Sequence, residues 1–320
     1  MANQNVSEVI QRLRSLLKDA VRRNVADCIL LSGGLDTSVI TVVANNHSKL
    51  TGITVSLGEA PDLRFASLIA KKFGLRHMVV RLDMKDIERV IPAIIEVMQS
   101  FDPMEVRNDA TIMIGLRAVS EAGFKSVMTG DAVDELLAGY SFLFKMKPRQ
   151  LSDRLEEIWR TMQFSSIPLA ESLGITAKLP LLDYEFKNYA MGIDVSLKIR
   201  EERGKTYGKW VLRKAFESEL PEEIVWRVKM PIEQGSGTSS LPEYYAKKIE
   251  DSEFEHRRQS IWNMDKVHIR DKEQLAYYAV YREMFGAPAN RVSGDKVCRG
   301  CSTHLPEGTS FCRTCGQSQV

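Results

Sequence analysis

No apolar run in these 320 residues approaches the roughly 18 to 20 that a membrane span requires. The opening MANQNVSEVIQRLRSLLKDA is amphipathic rather than a signal peptide, so a cytosolic chain with no membrane partner is expected. Charge of one sign is lacking as well. Forty-four Lys and Arg stand against 42 Asp and Glu, a net +2, which argues against non-specific nucleic-acid binding as the main role and leaves room only for a local basic patch. Cysteine is scarce, five in all, which excludes a disulfide scaffold. There is no internal repeat and no low-complexity segment. What is present is 44% hydrophobic and 27% charged residues, enough for the core of one large or two modest domains.

Apolar residues at Val6, Val9, Ile10, Leu13, Leu16, Leu17, Ala20 and Val21 predict a first helix, with Asn5 and Glu8 as a capping box. The run Ala26 to Leu31 reads as a buried strand that ends in Ser32-Gly33-Gly34-Leu35-Asp36-Thr37-Ser38 and turns into a helix. Strands near 50–56, 76–82 and 126–128 alternate with helices near 62–73, 86–99 and 109–121, the pattern of a parallel α/β sheet covered on both faces. Ligands of such sheets sit at the carboxyl ends of the strands. Beyond about 147 the strand signal fades and helices are expected at 151–162, 184–191, 207–218 and 275–285. The reading divides the chain into 1–286, a linker at 287–295 and a small module at 296–320.

A turn of small residues between a strand and a helix exposes N–H groups at the positive end of the helix dipole, a cradle for phosphate. The Walker lysine and the G-x-G-x-x-G fingerprint are both absent. The strand at 126–128 runs into Thr129-Gly130-Asp131-Ala132-Val133-Asp134-Glu135, followed by Leu136-Leu137-Ala138-Gly139-Tyr140. Its three acidic residues fall where the sheet places its ligands, and Mg²⁺, a hard cation, would compensate them; an exposed acidic helix start is the alternative.

The segment S-G-G-L-D-T-S resembles the SGGxDS signature of the PP-loop ATP pyrophosphatases, and the acidic turn lies about 95 residues later. Together with Lys178-Leu179-Pro180-Leu181-Leu182-Asp183, Lys209-Trp210-Val211-Leu212-Arg213-Lys214-Ala215-Phe216 and the stretch from Leu220 to Lys229, the pair resembles the synthetase domain of the asparagine synthetase family. The resemblance implies that Ser32, Gly33, Gly34, Asp36, Thr37 and Ser38 grip pyrophosphate, with Gly130 facing the same site, and that Asp36 and Asp134 hold Mg²⁺. It places Val55 and Ser56 at adenine. Leu30 and Leu31 either line that pocket or belong to the core. It implies that Asp131 lies by the acyl substrate and orients or deprotonates the amine, and that Lys229 stabilises charge on the α-phosphate. Asp183 stands either at the substrate end or in a packing role. The implied reaction joins a carboxylate, aspartate by default, to ammonia or another amine through an acyl-adenylate formed from ATP.

The match departs in places. Ala2 follows Met1 where glutamine-dependent relatives carry a catalytic cysteine, so no glutaminase is expected here, and ammonia would arrive free or from a separate glutaminase partner. The second motif reads Asp-Ala-Val-Asp, and Lys178 stands for an arginine, which lacks a lysine's single-point geometry and offers a bidentate fork. These differences bear on the acyl substrate more than on adenylation. Two other readings remain beside amide synthesis: a PP-loop enzyme that thiolates tRNA, and a nucleotide-binding regulator without turnover.

Four of the five cysteines lie in Cys298-x2-Cys301-x10-Cys312-x2-Cys315, a zinc-ribbon spacing, with disulfides or an iron–sulfur cluster as rivals. The holo ribbon would be near neutral, which argues against strong capture of RNA, although Arg299 and Arg313 could make local contacts. A docking or capping role is expected of it. Cys28, on the first strand, is read as core rather than as a reactive thiol.

Overall fold

The computed structural model describes residues 5–45, 49–290, 296–305 and 309–319. The first helix is α1 (Val6–Arg23), whose apolar stripe is buried at Val9, Leu13, Leu16, Leu17, Ala20 and Val21, while Val6 and Ile10, also expected on that stripe, are only partly buried. Asn5 caps it by accepting from Ser7 N at 3.1 Å, and its own amide donates to Glu8 at 3.0 Å in place of a full capping box. Next come β1 (Cys28–Leu30), α2 (Leu35–Ala44), β2 (Thr51–Leu57), α3 (Pro61–Phe73), β3 (Arg76–Leu82), α4 (Met84–Met98), α5 (Pro103–Glu121), β4 (Ser126–Met128), α6 (Val133–Leu136) and β5 (Thr176–Lys178).

The sheet has five strands in the order β3-β2-β1-β4-β5. β1 pairs in parallel with both neighbours, Cys28 lying opposite Thr51 and Val127, and β4 pairs in parallel with β5. From β1 the chain passes to β2 on one side, whereas β4 lies on the other. The carboxyl ends of β1 and β4 therefore flank a topological switch point, the place where open α/β sheets form their ligand crevice. The loops leaving those ends are the glycine turn and the acidic turn.

Three features differ from the sequence expectation. β5 is a three-residue edge strand with Thr176 and Lys178 at its ends, too short and too polar to give an apolar run. A small antiparallel hairpin, β6 (Arg200–Glu202) and β7 (Lys205–Tyr207), takes Tyr207 out of the expected helix, which spans only Trp210–Phe216. α5 begins at Pro103, six residues before its apolar pattern becomes readable.

The described chain forms two compact units. The first takes in the chain to Ser56, Ala60–Val80 and Gly115–Pro231, and so contains the glycine and acidic turns; the second takes in Leu57–Glu59, Arg81–Ile114 and the chain from Ile232. In the second unit the helix Lys272–Phe285 buries Tyr277, Tyr278 and Tyr281, and the Phe101 ring meets Tyr278 and Tyr281 edge-on, with centroids 5.0 Å away. The Cys segment belongs to this unit. Phe101 N donates to Thr314 O at 2.8 Å, Ser100 Oγ to Arg313 O at 2.7 Å, His268 N to Gly300 O at 2.7 Å and Gln274 Nε2 to Cys315 O at 2.9 Å. No helix among the described residues is long and apolar enough to cross a membrane.

Candidate active site

The glycine turn is shaped by its neighbours. Gly33 has φ +67, and a Cβ there would overlap the backbone of Phe65 and Ala66 on α3, so only glycine fits. Ser32 Oγ accepts from Gly34 N at 3.2 Å and lies 3.3 Å from Thr37 Oγ1. Gly34, the N-cap of α2, gives no side-chain cap, so the first-turn N–H groups have no acceptor from the cap residue. Ser38 Oγ is buried without a hydrogen-bond partner. An unsatisfied hydroxyl and an uncapped helix start at one loop suit a phosphate group. Behind the loop, Thr54 Oγ1 donates to Leu31 O at 2.6 Å and lies 2.8 Å from His77 Nε2, which leaves the imidazole as the donor of that pair.

The acidic turn meets this loop directly. A Cβ on Gly130 would lie 2.9 Å from the Thr37 methyl and 3.2 Å from Asp36 Cβ. Ala132 sits at φ +85, a left-handed position that suits glycine. α6 then points Asp134 towards Asp36, and between the two stands Lys209. Its Nζ lies 2.8 and 2.6 Å from the Asp36 oxygens and 2.7 Å from Asp134 Oδ1, and the side chain is only 4% exposed. Lys229 Nζ pairs with Asp134 Oδ2 and lies 4.7 Å above the Tyr140 ring. Burial opposes the charge of Lys209, but Asp134 and Asp36 outweigh it and raise its pKa. Burial likewise opposes ionisation of Asp134, yet the two lysines hold its carboxyl below the usual range.

Asp131 lies in a different setting. Thr129 Oγ1 and Ser166 Oγ both donate to its Oδ2, at 2.8 and 2.5 Å. Burial nonetheless raises its pKa. Leu30 and Val55 converge on α5, where a Cβ on Gly115 would lie 3.0 Å from one and 3.4 Å from the other, while Ser56 is fully buried and accepts from Ala60 N.

Asp183 has partners of its own. It caps the helix Tyr184–Gly192 through Glu185 N and accepts two bonds from Arg23, at 2.9 and 2.6 Å. Cys28 is fully buried, and burial pushes its thiol up to about 12, which removes it as a nucleophile.

The sequence alone assigns no role to Lys209, Arg213 or Ser166. Lys209 and Arg213 lie inside the segment Lys209 to Phe216 that resembles the family motif, which shows their identity but not their target. Buried Arg213 donates from Nε to Gly208 O at 2.9 Å and from Nη1 to Arg227 O at 3.1 Å, tying the two lysine-bearing segments together. Ser166 lies 35 residues beyond Asp131 in a segment without a signature.

The donor set of Asp36 and Asp134 consists of hard carboxylate oxygens that already grip a cation, the Lys209 ammonium, so it fits Mg²⁺ in kind. In the second unit, the thiols of Cys298, Cys301, Cys312 and Cys315 are free, buried and within 4.8 Å of one another. The separations of 3.6 Å (Cys298 to Cys315) and 3.8 Å (Cys301 to Cys312) match the edge of about 3.8 Å of a tetrahedron with metal–sulfur bonds near 2.3 Å. The two knuckles repeat one pattern: Cys298 N donates to Thr303 O and Ser302 N to Cys298 O, as Cys312 N donates to Gln317 O and Gly316 N to Cys312 O.

A family model for asparagine synthase matches residues 12–172 and 168–294. Similar proteins include the glutamine-hydrolysing asparagine synthetase 2 of Arabidopsis thaliana, 28% identical over 302 residues that cover 86% of this chain and 52% of that protein. Asparagine synthetase B of Escherichia coli K12 is 25% identical over 307 residues, covering 88% and 54%. The chain thus spans about half the length of these relatives. Among solved structures, the NMN synthetase from Francisella tularensis aligns with 88% of this chain and 95% of its own at 15% identity, with a TM-score of 0.39. The matched stretches carry the glycine turn, the acidic turn and the segment of Lys209 and Lys229, and the chain belongs to the asparagine synthase family.

Proposed function

We propose that this chain is an ATP-dependent amide synthetase that forms AMP and pyrophosphate, activating a carboxylate, with aspartate as the default, for attack by ammonia or another amine. The observation that carries the reading is the meeting of Asp36, Asp134, Lys209 and Lys229 at the crevice beyond β1 and β4. In the first half-reaction a substrate carboxylate oxygen attacks the α-phosphorus, the new O–P bond forms and the bond to pyrophosphate breaks. Ser32, Gly33, Gly34, Thr37, Ser38 and the first-turn amides of α2 bind the departing pyrophosphate, with Gly130 packed against them, and Leu30, Val55 and Ser56 face adenine. Lys229, the more exposed lysine, neutralises charge growing on the α-phosphoryl oxygens. Mg²⁺ held by Asp36 and Asp134 would neutralise phosphate charge. In the second half-reaction the amine nitrogen attacks the acyl carbon, AMP leaves with the electron pair of the C–O bond, and Asp131 accepts the amine proton.

For Asp183 the pairing with Arg23 supports the packing role. The four thiols support zinc, and the buried, unreactive Cys28 counts against a thiolation enzyme. A cytoplasmic setting suits the free thiols. A separate glutaminase subunit is one source of ammonia, with the ribbon as its docking element. The test is pyrophosphate–ATP exchange with Mg²⁺ against aspartate, other amino acids and tRNA. Exchange with aspartate is expected. Exchange with a different carboxylate moves the substrate, and none with any carboxylate despite ATP binding overturns the reading.

A further inference from the structure

We propose that Lys209 is the resident counter-cation of the nucleotide site and keeps bare divalent metal out, so that metal enters only together with nucleotide. The inference rests on the reading of this crevice as a metal–ATP site. Lys209 is fixed by the backbone as much as by charge. It has φ +55, a left-handed conformation for a residue with a side chain, and its N donates to Leu137 O at 2.9 Å. Gly139 leaves the space the side chain occupies, since a Cβ there would overlap Asp134 Oδ1 and Lys209 Cε. Strain of this kind persists where surrounding structure over-determines it, and it concentrates at functional positions.

The charges of the cluster balance. Asp36 and Asp134 contribute two negative charges, and Lys209 and Lys229 two positive ones. A neutral cluster whose carboxylate oxygens are already engaged offers little to a lone divalent cation. A metal–ATP complex differs, because it carries about two net negative charges and phosphate oxygens of its own. Those oxygens give Lys209 a competing anionic partner and free the Asp36 carboxylate for the metal. Lys209 is then a positioning residue that sets the order of loading. Its nearly complete burial keeps bulk water from substituting for the phosphates.

The test titrates Mn²⁺ as the probe metal into the purified full-length chain, followed by electron paramagnetic resonance. The wild type should bind Mn²⁺ at least tenfold more weakly without nucleotide than with a non-hydrolysable ATP analogue. Lys209→Met should gain nucleotide-free Mn²⁺ affinity by at least tenfold, Lys209→Arg should behave as the wild type, and adding Asp36→Asn to Lys209→Met should abolish the gain. A merely structural lysine would give no gain of metal binding. A folded Lys209→Met with wild-type Mn²⁺ affinity overturns the proposal, and so does a wild type that binds Mn²⁺ equally well with and without nucleotide. The wild-type comparison decides should Lys209→Met not fold. Failure of the analogue to bind would instead sink the functional reading, and the Lys209→Met titration would still decide the lysine's role.

Discussion

Asp131 and Asp134 are both carboxylates of the acidic turn, and their neighbours set them apart. Asp134 is gripped by the Lys209 and Lys229 ammonium groups, which hold its carboxyl below the usual range, whereas Asp131 accepts from two hydroxyls and burial raises its pKa. The Ser166 hydroxyl bond favours the ionised form and partly offsets burial. Ser166→Ala removes that donor, so the carboxylate becomes harder to ionise. The acid limb of the amide-forming rate, which rises as Asp131 loses its proton, should move to higher pH. Exchange in the first half-reaction should hardly change, and equal damage to both halves would mark Ser166 as merely structural. Asp36→Asn should keep the far-ultraviolet dichroism, lower the unfolding free energy by about 2 kcal/mol and reduce pyrophosphate exchange by about 10² to 10³-fold. Near-normal exchange would remove Asp36 from the metal site. Asp36, Asp131 and Asp134 were readable because a short motif carries them. Ser166 was not, because a hydroxyl that serves a residue 35 positions away leaves no local pattern.

The elements that aim these residues are short and held by unusual contacts. α6 has four residues, and its last carbonyl, Leu136 O, accepts from Lys198 Nζ at 2.9 Å; the same ammonium donates to Ala190 O at 2.8 Å and Met191 O at 3.1 Å. Lys198 is wholly buried, over the Trp159 ring at 4.8 Å, and burial lowers its pKa to about 7, with Asp194 pulling the other way. Lys198→Met would leave three carbonyls without their donor and should destabilise the fold by about 2 to 4 kcal/mol. The pH dependence has a definite sign. The unfolded lysine keeps its proton up to about 10.4, so between pH 7 and 10 the unfolded state binds more protons than the native one. The wild type should therefore gain stability relative to Lys198→Met as pH rises through that window, measurable by urea unfolding at several pH values. A difference that shrinks with pH would refute this. Gly139→Ala should remove exchange activity altogether, because the new methyl overlaps the Asp134 carboxylate and the Lys209 side chain, and an active variant would show that the turn can move aside. The helices and buried strands of the sheet were legible from periodicity. β5 and the β6–β7 hairpin were not, because edge and surface strands this short bury too little apolar surface to pattern the sequence.

For the molecule as a whole, alternation of strand and helix made the parallel sheet legible and pointed to the carboxyl ends of its strands, whereas the order β3-β2-β1-β4-β5 is set by contacts that alternation does not encode. The cysteine segment was legible as a pair of CxxC knuckles whose thiols come together, but its surroundings were not, since its bonds to the rest of the second unit run through backbone carbonyls that any sequence supplies. Thr314 O, Arg313 O, Gly300 O and Cys315 O are all acceptors for residues outside the ribbon. Gly316 extends the same logic, for a Cβ at its φ of +76 would overlap the Asp102 carboxylate. A four-thiolate metal site contributes its binding energy to whatever the ligands are attached to, and here they are attached to the connection between α4 and α5 and to the helix Lys272–Phe285. Chelation should therefore lower the thermal midpoint and speed amide exchange in Phe101 and in the helix Lys272–Phe285 as well as in the ribbon. The strands of the first unit should keep their protection, because they share none of these bonds. Exchange that quickens only between residues 296 and 319 would show that the ribbon's metal supports the ribbon alone, and the backbone bonds at Phe101 and His268 would then be too weak to transmit its loss.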